Sequence, residues 1–168
     1  FGYERGAFTG ATRAAPGLLA EADGGTLFLD EVGDLSPDNQ ARILRAVETG
    51  AYRPVGARAE QQADIRVVAA TNKDLARALA AREFREDLYQ RLRGFEIDLP
   101  PLRKRRSDIP ALARHFLRLA QARIPGAPAA FAPEALDHLG GLPWPGNVRE
   151  LRTRVWRAAA QARGDTVT

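Results

Sequence analysis

The chain has 168 residues, of which 45% are hydrophobic and 27% charged, the make-up of about one folded domain and not of a disordered tail. It holds no cysteine, which excludes a disulfide framework, a zinc-thiolate site, an iron–sulfur cluster and a cysteine nucleophile, and which suits a reducing cytoplasm. The formal charge of +4 is unevenly spread: residues 1–101 carry 13 Arg/Lys against 16 Asp/Glu, and residues 102–168 carry 12 against 5, so a polyanion partner is expected of the second part if of either. The longest run without a charged residue, His138 to Val148, has 11 residues and is broken by glycine and proline, too short for a membrane span. The chain starts at Phe1 and contains no methionine, so it reads as a piece of a longer protein.

In chain order, the first feature is Gly6-Ala7-Phe8-Thr9-Gly10-Ala11, in which two glycines bracket an aromatic and a hydroxyl. This is the composition of a mobile loop with one sticky tip; Phe8 is either a buried anchor or an exposed contact for a partner. Thr26-Leu27-Phe28-Leu29 then reads as a largely buried strand running into Asp30 and Glu31. Acids at the carboxyl end of such a strand sit where open α/β sheets bind ligands. One can hold a hydrated magnesium ion while the other orients or deprotonates a water for attack on a phosphate; a solvated loop start is the plain alternative. A helix follows, capped by Ser36, with Pro37 at its first position, Ile43, Leu44 and Val47 on one face, and Gly50 at its end.

Ile65 to Ala70 reads as a second buried strand and leads into Thr71-Asn72. If the two strands are neighbours, Thr71 or Asn72 lies beside Asp30 and Glu31, where an amide can hold water or sense a γ-phosphate. The alternative use of the pair is to cap the helix that begins near Asp74. One or two helices fill Lys73 to Leu92, and Phe95-Glu96-Ile97-Asp98-Leu99 alternates like a third strand. Strand, helix, strand, helix, strand is the pattern of an α/β fold with a parallel sheet. After Pro100-Pro101 only helical patterns remain: one from a Ser107 cap through Leu112, Phe116 and Leu119, a short one from Pro133 to Leu139, and one from an Asn147 cap through Val148, Leu151 and Val155. The boundary is expected at 101/102, with a helical subdomain over 102–168.

These segments, taken together, resemble the bacterial enhancer-binding proteins, the AAA+ ATPases that activate sigma-54 RNA polymerase. Residues 6–11 are similar to their GAFTGA motif, Gly24 to Glu31 to their Walker B segment, and Ala70-Thr71-Asn72 to sensor I. Phe84 to Leu92 resembles the arginine-finger region, Leu99 to Arg103 and Arg106 to Ile109 the link to the lid, and Trp144 to Leu151 the sensor II helix. The resemblance implies a partial AAA+ P-loop NTPase core with a parallel sheet and helices over residues 1–101, followed by a small all-helical lid over 102–168. It implies a ring, usually a hexamer, with ATP and Mg2+ bound between subunits. Asp30 would hold magnesium, through water, and Glu31 would activate the attacking water. Thr71 and Asn72 would sense the nucleotide, and Arg149 would reach it from the lid of the same subunit. Arg85 and Arg91 would approach a neighbour's nucleotide. On one helix they point about 120° apart, so both reach one phosphate only if Arg85 precedes the helix. Otherwise one is an ion-pair partner, with Glu86 or Asp87.

By the same resemblance Gly6, Ala7, Phe8, Thr9, Gly10 and Ala11 would touch the sigma factor. A second pore loop would lie around Arg53 to Asp64. Promoter and enhancer DNA would be bound by domains outside the chain. One family element is missing: no Gly-x-x-x-x-Gly-Lys-Ser/Thr phosphate loop occurs in the 168 residues, so the chain by itself is expected to be inactive towards ATP. Two rival readings follow, a non-catalytic interaction module that uses the Phe8 loop, and direct DNA binding through Arg149, Arg152, Arg157 and Arg163 of the last helix.

Overall fold

The computed structural model describes residues 1–162 and 164–168. The chain divides into two units, Phe1–Glu96 and Ile97–Thr168.

In the first unit, β1 (Thr26–Leu29) and β4 (Arg66–Ala69) pair in parallel, Phe28 opposite Val68. The crossover between them holds α2 (Pro37–Thr49) and the hairpin of β2 (Ala51–Tyr52) and β3 (Gln61–Gln62). The start of α2 follows its sequence: Ser36 Oγ accepts the Asn39 N–H at 3.4 Å, Pro37 needs no donor there, and Gly50 closes the helix. Alternation along β1 sends Leu27 and Leu29 into a core with Leu19, Ala46, Tyr52 and Ala63. Phe28 and Val68 turn the other way and remain 59% and 42% exposed. The two strands expected to be largely buried are thus covered on one face only by the described residues.

A second cluster joins α2 to α3 (Leu75–Ala80) and α4 (Glu86–Leu92) through Ile43, Leu44, Ala78, Phe84 and Leu88, with Val32 from the turn after β1. A short α1 (Leu18–Glu21) precedes β1. The expected third strand is not formed: Phe95, Ile97 and Leu99 are 88%, 71% and 77% exposed. Alternation supplies a strand only its side-chain pattern, and no described strand lies along this segment to satisfy its backbone.

The second unit packs α5 (Ile109–Gln121), α6 (Pro133–Gly141) and α7 (Asn147–Gln161) around Leu102, Ile109, Ala113, Leu117, Trp144, Leu151 and Val155. It is helical except for a parallel pair of two-residue strands, β5 (Ala130–Phe131) and β6 (Thr166–Val167), which departs from the all-helical expectation. Two caps also differ. Asp108, not Ser107, precedes α5, at the end of a 3-10 turn over Arg106–Asp108 that leads straight into the helix with no side-chain cap bond. Asn147 does not cap α7: its Oδ1 accepts the N–H of Leu102 at 2.9 Å, and Glu150 Oε2 receives the Gly146 N–H instead.

Candidate functional site

The parallel pairing carries both polar strand ends to one edge. Val32 N–H donates to Ala70 O at 2.9 Å and Ala70 N–H to Leu29 O at 2.8 Å, so the chain beyond β1 runs beside the chain beyond β4. Glu31 leaves the strand in a left-handed conformation, φ 50° and ψ 48°, which costs a residue with a Cβ about 1–2 kcal/mol. That kink brings its carboxylate back across the edge. Asn72 holds it twice, the backbone N–H donating to Oε2 at 3.1 Å and the amide Nδ2 to Oε1 at 3.0 Å. Asp30 stays exposed, its Oδ1 accepting the Glu31 N–H at 3.1 Å.

Thr71 is the near neighbour of Gly33: a Cβ on that glycine would stand 2.8 Å from Thr71 Oγ1, which itself accepts the Lys73 N–H. The helix cap is Asp74, whose Oδ1 accepts the Arg77 N–H at 3.1 Å, so Thr71 and Asn72 are not spent on capping α3. Lys73, which no sequence pattern singles out, closes the turn after Glu31, with Nζ 2.6 Å from Asp34 Oδ1 and donating to Gly33 O at 3.2 Å. The bond to Asp34 raises the Lys73 pKa. Four expected site residues, Asp30, Glu31, Thr71 and Asn72, therefore share one edge. No group of three or more His, Cys, Asp or Glu gathers for a metal among the described residues. A lone exposed carboxylate fits a hydrated magnesium ion that arrives with phosphates, since such ions take one or two carboxylates from the protein.

Arg85 precedes α4 in an extended conformation, φ −76° and ψ 133°, which meets the geometric condition for the two arginines. Its guanidinium also grips Asp87 in a two-pronged pair, Nε to Oδ1 at 3.0 Å and Nη2 to Oδ2 at 2.7 Å. This pair raises the Arg85 pKa and lowers that of Asp87. Arg91 lies exposed in the last turn of α4 and makes no ion pair among the described residues. The backbone of Arg85 is anchored from the core, its N–H donating to the buried amide of Gln40, another residue that no motif marks.

Residues 6–11 form the tip of a projection. Its stem is a bridge of Tyr3 with Ala15, both N–H groups donating at 2.8 Å, and Gly6 N–H closes the tip on Ala11 O. Gly6 and Gly10 take φ of 82° and 97°, and a Cβ added to either would meet nothing within 4 Å, so the turn and not crowding demands glycine there. Ala11 is buried, while Phe8 is 53% exposed with its ring edge-on to Tyr3 at 5.0 Å. The stretch from Arg53 to Asp64 runs through the loop that joins β2 to β3 and then through β3 itself, and it meets this projection: Glu4 N–H donates to Val55 O, Val55 N–H to Gly2 O, and a Cβ on Gly56 would lie 2.9 Å from that of Ala7.

In the second unit Arg149 is exposed near the start of α7. Arg152 lies over the ring of Trp156, and Arg163 is outside the described residues. No helix is long and apolar enough to cross a membrane among the described residues.

The family model described as the sigma-54 interaction domain matches residues 1–98, and that of the AAA+ ATPase lid domain matches 103–168. The chain is 49% identical over 168 residues to the transcriptional regulatory protein ZraR of Klebsiella oxytoca, covering all of this chain and 38% of that protein. It is likewise 49% identical to the DNA-binding transcriptional regulator NtrC and to the Nif-specific regulatory protein of Rhizobium meliloti, covering 34% and 31% of them. The chain thus spans about a third of the length of these relatives. The crystal structure of NtrX from Brucella abortus matches the whole chain with a TM-score of 0.91 at 35% identity, over 38% of its own length. Crystal structures of NtrX in complex with ADP and with ATP match 90% and 85% of the chain, with TM-scores of 0.82 and 0.79. Sequence and fold agree: the chain belongs to the sigma-54-dependent transcriptional activators, across the sigma-54 interaction domain and the AAA+ lid.

Proposed function

We propose that the edge formed by Asp30, Glu31, Thr71 and Asn72 is the hydrolytic edge of an ATPase that drives activation of sigma-54 RNA polymerase. The observation that carries the reading is the Glu31 carboxylate, aimed across the strand ends and held by both donors of Asn72. A carboxylate so placed can accept a proton from a water that attacks a phosphate, and the amide beside it sets its direction. Asp30 would hold the magnesium ion through water, and the ion would neutralise charge on the phosphates. Arg85 and Arg91 stabilise charge on a neighbouring subunit's nucleotide within a ring, a hexamer by family precedent, and Arg149 serves the nucleotide of its own subunit. NtrX complexes with ADP and ATP support nucleotide binding in this family. The 168 residues contain no phosphate-loop sequence, so by themselves they are not expected to turn over ATP.

The projection at residues 6–11 is the sigma-54 contact in this reading, with Phe8 and Thr9 at its tip. Its exposed aromatic and its seat on the hairpin around Val55 support that role. Promoter and enhancer DNA are bound by other domains. The test is Phe8→Ala in a full-length activator that carries this chain. ATP turnover should persist within about twofold while open-complex formation at a sigma-54 promoter falls about a hundredfold, as for a lost buried aromatic anchor. Open complexes formed at the original rate would overturn the assignment of the loop.

A further inference from the structure

Gln40 is the only polar side chain buried in the core among the described residues, 1% exposed in the second turn of α2. Its amide is used in three directions. Nε2 donates to Leu35 O and to Glu83 O, each at 2.9 Å, and Oε1 accepts the Arg85 N–H at 2.9 Å. The Leu35 carbonyl ends the turn that starts at Glu31, a turn tied by Asp34 N–H to Glu31 O and by Leu35 N–H to Val32 O. The other two bonds hold the last residues before α4, 43 and 45 positions along the chain. If packing were the only demand, an apolar side chain of similar volume would fill this place without an amide to satisfy. What the amide adds is direction: it sets two backbone segments, one behind Glu31 and one beneath Arg85, at a fixed spacing.

We propose that Gln40 is a positioning residue for the finger arginine, anchoring the root of Arg85 to the turn behind the water-activating Glu31. The link ties each subunit's own hydrolytic edge to the arginine it extends towards its neighbour. A shift at one would be carried to the other through the buried amide and its three bonds. The inference rests on the proposed roles of Arg85 and Glu31.

The test is a double-mutant cycle in a full-length activator carrying this chain, with Gln40→Met and Arg85→Ala measured singly and together. Gln40→Met should lower kcat for ATP about tenfold with KM nearly unchanged, since it misplaces a group that acts in the transition state. In the Arg85→Ala background it should have no further effect, because what it positions is gone. An equal fall in both backgrounds, or no fall in either, overturns the proposal while the finger role of Arg85 stands. Turnover unchanged by Arg85→Ala alone removes that finger role, and the inference with it. If Gln40→Met does not fold, as read by melting and ring assembly, Gln40→Asn takes its place in the cycle, its amide one methylene short of all three partners. A fall in kcat confined to the background that keeps Arg85 then supports the proposal, and an equal fall in both backgrounds or none in either overturns it.

Discussion

At Glu31 two features coincide, a backbone in the left-handed region and a carboxylate gripped by its neighbour across the sheet edge. Local cost of this kind persists where the surroundings fix the residue, here by the Val32 and Ala70 backbone bonds on either side. Asp87 is a second case in which charge is held by geometry. Arg85 bonds it first and most strongly, and the N–H of Leu88 adds to this, so its folded pKa lies below the ordinary value of 3.8. A depressed carboxylate stabilises the fold above its unfolded pKa, and that contribution disappears as pH falls through the folded value. The Arg85–Asp87 pair should therefore remain closed throughout the neutral and mildly acidic range. Carbon-13 NMR titration of the Asp87 carboxyl should show a midpoint below 3.8, and a midpoint above it would contradict the pair. The acid pair and Thr71-Asn72 are readable from residue order, because a polar dipeptide after an apolar strand has one place to go in a parallel sheet. Lys73 and Gln40 are not, since their importance lies in partners about 40 positions away.

Elements are legible where the chain carries its own reason for them. Ser36, Pro37 and Gly50 delimit α2 with local chemistry, and the structure follows them. Gln40 interrupts the apolar stripe of Ile43, Leu44 and Val47 one turn earlier, and a polar residue on that stripe is the signal that could expose it. Residues 95–99 show the opposite case, since alternation says which way side chains would point and says nothing about whether a strand edge is there to pair with. Asn147 looks like a cap by type, yet its side chain serves Leu102, 45 residues earlier. Within the second unit the turn before α7 depends on Trp144, 1% exposed, whose Nε1–H donates to Leu139 O at 2.8 Å. Trp144→Ala should cost about 3–5 kcal/mol, from the emptied volume and the orphaned carbonyl together. Urea unfolding followed by circular dichroism checks this, and a loss under about 1 kcal/mol would mean that the indole is not central to this core.

For the whole molecule, the chain joins a unit that bears the edge of Asp30, Glu31, Thr71 and Asn72, the arginines Arg85 and Arg91 and the Phe8 projection to a helical unit that bears Arg149. The chain passes from one compact unit to the other at Glu96–Ile97, ahead of the two prolines at which the sequence places the boundary. Phe28 and Val68 leave an apolar face on the parallel strands, a surface that alternation alone could not report as covered or bare. The proposed function turns on one atom group, the Glu31 carboxylate, as the base that would activate water. Its most direct test is Glu31→Gln in a full-length activator carrying this chain, with ATP binding and ATP turnover measured on the same preparation. Binding should be retained while turnover falls at least about a hundredfold, the scale of a lost general base. Turnover that persists at the original rate would contradict it.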